Sequence, residues 1–448
     1  MNSLKYKGYT LRNFEQIEQM KGLGSDIIEA IKVVGHVLPF KVNSYVIDEL
    51  IDWTDIPNDP IFQLTFPQRG MLLPDDYKRM KKILESGSKE EIEATANEIR
   101  RRLNPNPAGQ KLHNVPMING KPIMGMQHKY RETVLFFPKN GQTCFSYCTF
   151  CFRWSQFVGI EEFRFANKEV QQLVDYLTEH EEVQDVLFTG GDPMVMKPHV
   201  FAEYIRPILE IPHVKTIRIG TKVLAYWPYK LTDMTSEGSA YLDLFKEISD
   251  SGKHLAIMAH FNHYRELQTN AVKEATQNLR DVGAVIRTQS PVMNHINADP
   301  EVWARMWRMQ VDMGMVPYYM FIARDTGAQH YFKVPLVKAW DIFFNAYRKV
   351  SGVCRTVRGP SMSTTWGKVE VTGPAQVGNE KVLTLRFIQG RNPDWVGKPF
   401  FAKYDENAIW LDELKPAFGE KFFFENETQY LASFDRIKEL VELPVASA

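Results

Sequence analysis

The chain has 448 residues, more than one hydrophobic core usually serves, so two or three domains are expected. Its 44% apolar and 24% charged content fits a globular protein. With 54 basic and 54 acidic side chains, it has neither the basic excess of a nucleic-acid binder nor the acidic excess of a disordered chain. The start, "MNSLKYKGYT", lacks the apolar stretch of a signal peptide, and no run of about 18 apolar residues is present to span a bilayer. A cytoplasmic protein without membrane or nucleic-acid partners is expected.

Residues 1–127 read as a helical region followed by a linker. "SDIIEAIKVVGHVLPF" has apolar residues at helical spacing. "SGSKEEIEATANEIRRRL" opens with a capping box, Ser88 to Glu91, and predicts a helix that stops before Pro105. "NPNPAGQKLHNVPMINGKPIMGMQ" is rich in Pro, Gly and Asn and reads as a long loop.

From 128 to 350 short apolar runs alternate with amphipathic stretches. The runs are "TVLFF", "DVLFT", "TIRIG", "LAIMAHF", "AVIRT" and "PYYMFIA"; the helical segments include "NKEVQQLVDYLTEH", "HVFAEYIRPILE", "AVKEATQNLRDVG" and "PEVWARMWRMQVDMG". Six such units imply an α/β fold with a parallel sheet and right-handed crossovers. The apolar continuity of the runs predicts strands covered on both faces. An open doubly wound sheet and a partial barrel both fit. Residues 351–448 form a smaller C-terminal region. There "GKVEVTG" and "KVLTLRFIQG" read as a hairpin-like strand pair, and "GEKFFFENETQYLASFDRIKELVEL" ends in an amphipathic helix.

Polar clusters follow the strands. They are Gly190-Gly191-Asp192-Pro193, Thr221-Lys222, His260 to His263, Thr288 to Ser290, and Arg324 to Gly327. Sites in such folds collect at the carboxyl ends of strands, so these clusters define one rim. The first run leads to "CFSYCTFC", which holds three of the four cysteines: Cys144, Cys148 and Cys151. A disulfide cannot pair three thiols, and a reducing compartment disfavours it; Cys354 then reads as a lone buried thiol. Zinc needs four closed ligands and no second cysteine pair exists, although a His could supply the fourth. A 4Fe–4S cluster takes thiolates; three on a tight loop hold three irons and leave the fourth open.

The C-x3-C-x2-C spacing, with Phe150 before the third cysteine, resembles the signature of the radical S-adenosylmethionine (SAM) superfamily. "GGDP" resembles that superfamily's next motif, where backbone and an acidic side chain meet the methionyl amino group. The likeness extends further. "VLPFKVNSYVIDELIDWTDIPNDPIFQLTFPQ", "IRIGTK", "HFNH", "RTQSPVMNHIN", "SGVC" and "GPSMSTTWGKVEV" are similar to segments of the lysine 2,3-aminomutase family.

This resemblance implies a partial (β/α)6 radical SAM barrel, with an N-terminal helical region and a small C-terminal region, and often a homo-oligomer. It implies a 4Fe–4S cluster on Cys144, Cys148 and Cys151. It implies SAM contacts from Phe150, Gly190, Gly191, Asp192, His260 and Gln289. In the family a lysine carries pyridoxal phosphate (PLP) as a Schiff base, a 5′-deoxyadenosyl radical removes a β-hydrogen, and nitrogen moves from Cα to Cβ. The matching lysine is Lys368, where only Gly367 remains of the family's glycine-rich run. Lys129 and Tyr130 fall toward the PLP phosphate. Lys129 and Thr133 stand where arginines are expected, and Arg131 takes that place if the register shifts. The substrate is expected to be a small amino acid, and the electron donor a protein such as flavodoxin or ferredoxin.

Lysine-specific members hold the substrate ammonium with two aspartates. Their positions fall on Ser361 and on Arg324, or on Asp325 with a one-residue shift. A cation there repels an ammonium and attracts an acid, so an acidic or neutral polar side chain is expected rather than free lysine. The shifted placement restores lysine, and with it lysine 2,3-aminomutase itself. A PLP-free radical SAM enzyme and a metal-binding protein without turnover complete the alternatives.

Overall fold

The computed structural model describes residues 5–427, Ser236 excepted. Most of the expected C-terminal amphipathic helix lies outside the described residues. The N-terminal part is helical, with longer helices α1 (Ser25–Gly35), α2 (Pro74–Ser86) and α3 (Lys89–Arg102). α3 starts on the predicted capping box: Ser88 Oγ accepts from Glu91 N, and Glu91 Oε2 accepts from Ser88 N at 2.7 Å.

One eleven-stranded sheet then runs to the C-terminal part. Its strands are β1 (Met126–Tyr130), β2 (Thr133–Phe136), β3 (Asp185–Phe188), β4 (Thr216–Thr221), β5 (His254–His260) and β6 (Val285–Val292). They continue as β7 (Val316–Ile322), β8 (Arg358–Ser363), β9 (Gly367–Val377), β10 (Glu380–Gly390) and β11 (Pro399–Lys403). Neighbours in space are neighbours in sequence throughout. Strands β2 to β8 are parallel, β1 is antiparallel at one edge, and β9 to β11 are antiparallel at the other. A doubly wound sheet reverses its strand order at a switch point. No reversal occurs here, so the winding is that of a barrel. The predicted hairpin is β9–β10.

The sheet curls until its distant parts touch. Lys129 on β1 donates to the Thr364 carbonyl in the turn between β8 and β9. The Lys368 amine, on β9, senses the charge of Arg218 on β4. Crossover helices include α4 (Val170–Glu179), α5 (Pro198–Leu209), α6 (Gly238–Asp250), α7 (Asn270–Asp281) and α8 (Pro300–Asp312).

The strands correct the expectation of two covered faces. β4 and β6 alternate buried and partly exposed residues; Ile217 and Ile219 are buried, whereas Arg218, Arg287 and Gln289 are partly exposed. Helices cover one face and the other borders a polar interior. β5, buried from Leu255 to Ala259, is the exception. No helix among the described residues is long and apolar enough to cross a membrane.

The capping box yields a test of the helical region. Ser88→Ala removes one acceptor from the first turn of α3 and lowers stability by about 1 kcal/mol in denaturant unfolding.

Candidate active site

The cysteine loop leaves β2 and lies directly on the end of β3. A Cβ on Gly191 would come within 2.3 Å of the Thr143 carbonyl oxygen, and one on Gly190 within 2.3 Å of Gln142 Nε2. Gly190 also has φ +148°, which disfavours any side chain. Gly191 is therefore demanded by the close approach of two backbones, and Gly190 by its φ. Asp192 N donates to the carbonyls of Gly141 (3.1 Å) and Thr143 (2.7 Å), fixing the loop.

The N-terminal segment clamps the loop from the other side. Lys41 Nζ donates to the Cys144 carbonyl at 2.7 Å, Asn43 Nδ2 to the Phe145 carbonyl at 3.3 Å, and Thr149 Oγ1 to the Gln63 carbonyl at 2.7 Å. Asp59, which caps a short helix through Ile61 N and Phe62 N, pairs with Arg265 beyond β5. The "LPF" and "NDPI" elements thus hold the cysteines in place.

Cys144, Cys148 and Cys151 are all free thiols. Burial raises each thiol pKa, that of Cys151 to about 12, and Cys144 is raised further by Asp192 and by the two other cysteines. No group of three or more His, Cys, Asp or Glu side chains among the described residues is arranged to hold one metal ion. A cubane takes each thiolate on a different iron, so its ligands need not converge on one point. Three thiols on one braced loop are a donor set suited to such a cluster.

Around the loop stand several predicted residues. Phe150 stacks on His260 with ring centroids 5.9 Å apart. Burial, with the Lys222 charge second, lowers the His260 pKa to about 3, so the ring is neutral. Its buried Nδ1 has no hydrogen-bond partner among the described residues, which leaves it available to a ligand. Gln289 pairs with His260 in the sheet register. Asp192 is less available. Its carboxylate already accepts from Met194 N at 3.0 Å, Thr221 Oγ1 at 2.6 Å and Lys222 N at 2.8 Å, and burial raises its pKa to about 6. His263 caps a turn, with Nδ1 accepting from Arg265 N.

A second group lies across the interior. Its members are Lys129, Arg324, Lys368 and Arg391, and the last three all act on Lys129. Burial lowers the Lys129 pKa well below its ordinary value, and the charges of Arg391, Arg324 and Lys368 add to this. Lys368 Nζ sits 4.0 Å from the Tyr319 ring centroid. It is partly accessible, yet burial, helped by Arg218 and Arg358, lowers its pKa to about 7. Tyr130 lies beside Tyr319, Arg391 and Ser363. Arg153 joins the two groups. Only 6% exposed, it senses Cys151, Arg324 and Cys144, and burial lowers its pKa to about 9. Arg153 and Arg324 both stand 5.2 Å from the Phe152 ring.

The Arg324 guanidinium borders this group, its charge reaching Lys129, and is held by the linker. Its Nη2 donates to the Pro107 carbonyl at 3.2 Å and its Nη1 to Gln110 Oε1 at 3.5 Å, and its buried Nε has no partner among the described residues. Asp325 is tied to the linker at one oxygen: Asn104 Nδ2 donates to its carbonyl at 2.6 Å and to Oδ2 at 3.1 Å, while its buried Oδ1 has no partner among the described residues. Ser361 is fully buried, with Oγ donating to the Met320 carbonyl at 3.4 Å. Cys354 is buried away from the loop cysteines, beside Ser351. Arg153 and Arg391 escaped sequence reasoning. Arg153 stood in plain view two residues after the third cysteine, but a buried arginine has no sequence mark of its own.

A barrel-type sheet with three cysteines after its first parallel strand, and a polar rim at the strand ends, defines a radical SAM type of enzyme core. No family model matches the chain. It is 29% identical over 382 residues to a putative L-lysine 2,3-aminomutase of Aquifex aeolicus, covering 85% of this chain and 89% of that one. It is 30% identical over 189 residues to a glutamate 2,3-aminomutase of Clostridioides difficile, covering 42% of each. It is 24% identical over 344 residues to an L-lysine 2,3-aminomutase of Bacillus subtilis, covering 77% of this chain and 63% of that one. The latter two matches span less than two thirds of the relatives' own length. A structure of Streptococcus suis SuiB bound to S-adenosylmethionine aligns with a TM-score of 0.35 at 11% identity, over 60% of this chain and 56% of that one; a likeness that slight carries no argument. Over most of its length the chain resembles the lysine 2,3-aminomutase family, and it is a 2,3-aminomutase-like enzyme.

The contact between loop and glycine pair is testable. Gly191→Ala places a methyl against the Thr143 carbonyl and displaces the cysteine loop. The expected outcome, read by iron analysis after anaerobic reconstitution, is loss of most bound iron, as for Cys148→Ala.

Proposed function

We propose that the protein moves an amino group between neighbouring carbons of a small amino acid that carries an acidic or neutral polar side chain. Cys144, Cys148 and Cys151 hold a 4Fe–4S cluster; Phe150, Gly190, Gly191, His260 and Gln289 border SAM, with Asp192 organising that edge. When bound, the cluster and SAM supply hydrogen abstraction, and PLP supplies the conjugated ring that lets nitrogen migrate.

The observation that carries the reading is Lys368: a lysine of pKa about 7, inside the curl of the sheet, among other cations. A lysine must be neutral to attack a carbonyl, and burial next to like charges achieves this. Lys129 and Arg391 give the same hollow a demand for an anion, which a cofactor phosphate meets. Arg153 offers a buried guanidinium to a substrate carboxylate at the side facing the cysteines. Tyr130 and Tyr319 wall the space between. Arg324, turned toward these cations, suits a carboxylate or amide at the far end of the substrate. Asp325 is already engaged by Asn104. The likeness to a glutamate 2,3-aminomutase agrees with this polarity, and the likeness to lysine 2,3-aminomutases with the opposite one. A flavodoxin- or ferredoxin-type donor supplies the electron.

Borohydride reduction with PLP tests the lysine. The adduct should fall on Lys368 and vanish in Lys368→Ala. A pKa of about 7 leaves the amine mostly protonated at pH 6 and mostly neutral at pH 8, so trapping should rise across that interval and then level off. An adduct elsewhere, or none with saturating PLP, favours PLP-free radical chemistry.

Substrate polarity is tested with lysine, glutamate and glutamine side by side. A lysine ammonium facing Arg324 loses hydration without a carboxylate in return. A loss of ~3 kcal/mol makes lysine poorer by roughly a hundredfold in kcat/KM. Brisk lysine turnover, abolished by Asp325→Ala and kept by Arg324→Ala, would reverse the assignment of polarity.

A further inference from the structure

A short helical turn, Val223–Tyr226, follows β4 and ends on a tyrosine that the reaction itself does not use. The Tyr226 hydroxyl lies 3.5 Å from Cys148 Sγ. The residue is only 1% exposed, so bulk water does not compete for that contact. Its position is fixed at both ends. Tyr226 N donates to the Lys222 carbonyl at 2.9 Å, and the Tyr226 carbonyl accepts from Asn43 Nδ2 at 2.8 Å. The Lys222 ammonium stands 4.3 Å from the ring centroid. That ammonium is itself anchored by Glu266 Oε1 at 2.6 Å and Asn262 Oδ1 at 2.9 Å.

A cysteine that ligates iron carries no S–H, so the direction of this bond is settled: the phenol donates and the sulfur accepts. Reduction adds negative charge to a cluster, and part of that charge resides on the ligand sulfurs. A donor aimed at one of them stabilises the reduced state more than the oxidised one and raises the potential. We infer that Tyr226 tunes the reduction potential of the cluster, through a hydrogen bond from its hydroxyl to the Cys148 sulfur. The inference rests on the reading of Cys148 as a cluster ligand. Tyr226 acts through that ligand and touches no substrate, so it is a positioning residue. The same contact ties the potential to the Lys222–Glu266 pair, because those side chains hold the ring.

The test is a redox titration of the reconstituted full-length protein without SAM, followed by the electron paramagnetic resonance of the reduced cluster. Tyr226→Phe keeps the ring and removes the donor. At the wild-type midpoint its reduced-to-oxidised ratio should fall about tenfold, equivalent to about 59 mV for one electron, with iron content unchanged. Replacing Tyr226 by 3-fluorotyrosine keeps the shape and makes the phenol a stronger donor, so the midpoint should rise. In D2O, the wild-type cluster should show an exchangeable deuteron coupling that Tyr226→Phe lacks. Loaded proteins with the same midpoint and the same deuteron couplings overturn the inference and leave the cluster assignment standing. Wild-type protein that assembles no cluster overturns the assignment itself. If Tyr226→Phe fails to load, the fluorotyrosine protein decides: an unshifted midpoint there sinks the idea.

Discussion

A belt of buried hydrogen bonds along the carboxyl ends of the strands is the constraint on which the rest depends. It begins at the cysteine loop, whose Gly141 and Thr143 carbonyls take the Asp192 N–H. The Asp192 carboxylate passes the connection to Thr221 and Lys222 at the end of β4. Lys222 carries it to the His260 carbonyl, Asn262 and Glu266 after β5. Asn262 Nδ2 then reaches Ser290 Oγ at 2.8 Å on β6. Five successive segments are stapled by side chains that are almost fully buried. Each polar group has a partner, which is the condition under which a buried network adds rigidity instead of strain. Removing one member strands the others. Breaking a buried ion pair such as Lys222–Glu266 typically costs about 3–5 kcal/mol because a charge is left uncompensated.

The two halves of the interior have opposite electrostatic needs. On the cysteine side, burial and mutual repulsion press three thiols toward their neutral form, and a cationic cluster relieves this by taking up their negative charge. On the Lys368 side, burial presses four cations toward neutrality, and the other three charges press further on Lys129. Arg153 stands between the halves and belongs electrostatically to both. The interior thus has opposite electrostatic character at its two ends, which suits the guests proposed for them. The curl of the sheet creates this arrangement. Without the contact between β1 and the β8–β9 turn, Lys129 and Lys368 would sit on strands eight positions apart.

The strands and helices of the barrel were legible because each apolar run ends in a polar cluster, and the runs matched β2 to β7. The cysteine loop was legible from spacing as a candidate site, and the structure places its three thiols on one braced loop. Three things were not legible. The alternation in β4 and β6 was hidden because Arg218 and Arg287 interrupt runs that otherwise read as apolar, and one charged residue per strand does not announce an open interior. The role of the N-terminal segment was visible as a likeness but not as a physical function; that function consists of contacts such as Lys41 to the Cys144 carbonyl, more than a hundred residues away in sequence. Asp192 was read as a contact to SAM, and the sequence did not show that its carboxylate also accepts three bonds inside the protein. A sequence shows that an acid stands at a strand end, but not how many donors surround it.

The same limit explains why Arg324 and Asp325 could not be separated by sequence. Adjacent residues after a strand point in different directions, and a shift of one residue exchanges them. The structure separates them by their partners. Asn104, in the linker after α3, has φ +51° and turns its amide onto Asp325. Thr326 is held by the Asn104 carbonyl and by Trp154 Nε1, at 2.8 Å for the latter. These contacts fix the backbone on both sides of Arg324 and direct its guanidinium toward Phe152, Gln110 and the cationic hollow. On the proposed reading, side-chain polarity at the substrate end of the site is set by the linker, a segment whose loop-like composition carries no catalytic signature. Exchange of the acid for the base in this interior would require the linker to let go of Asp325, so that reading couples the choice of substrate to residues outside the barrel.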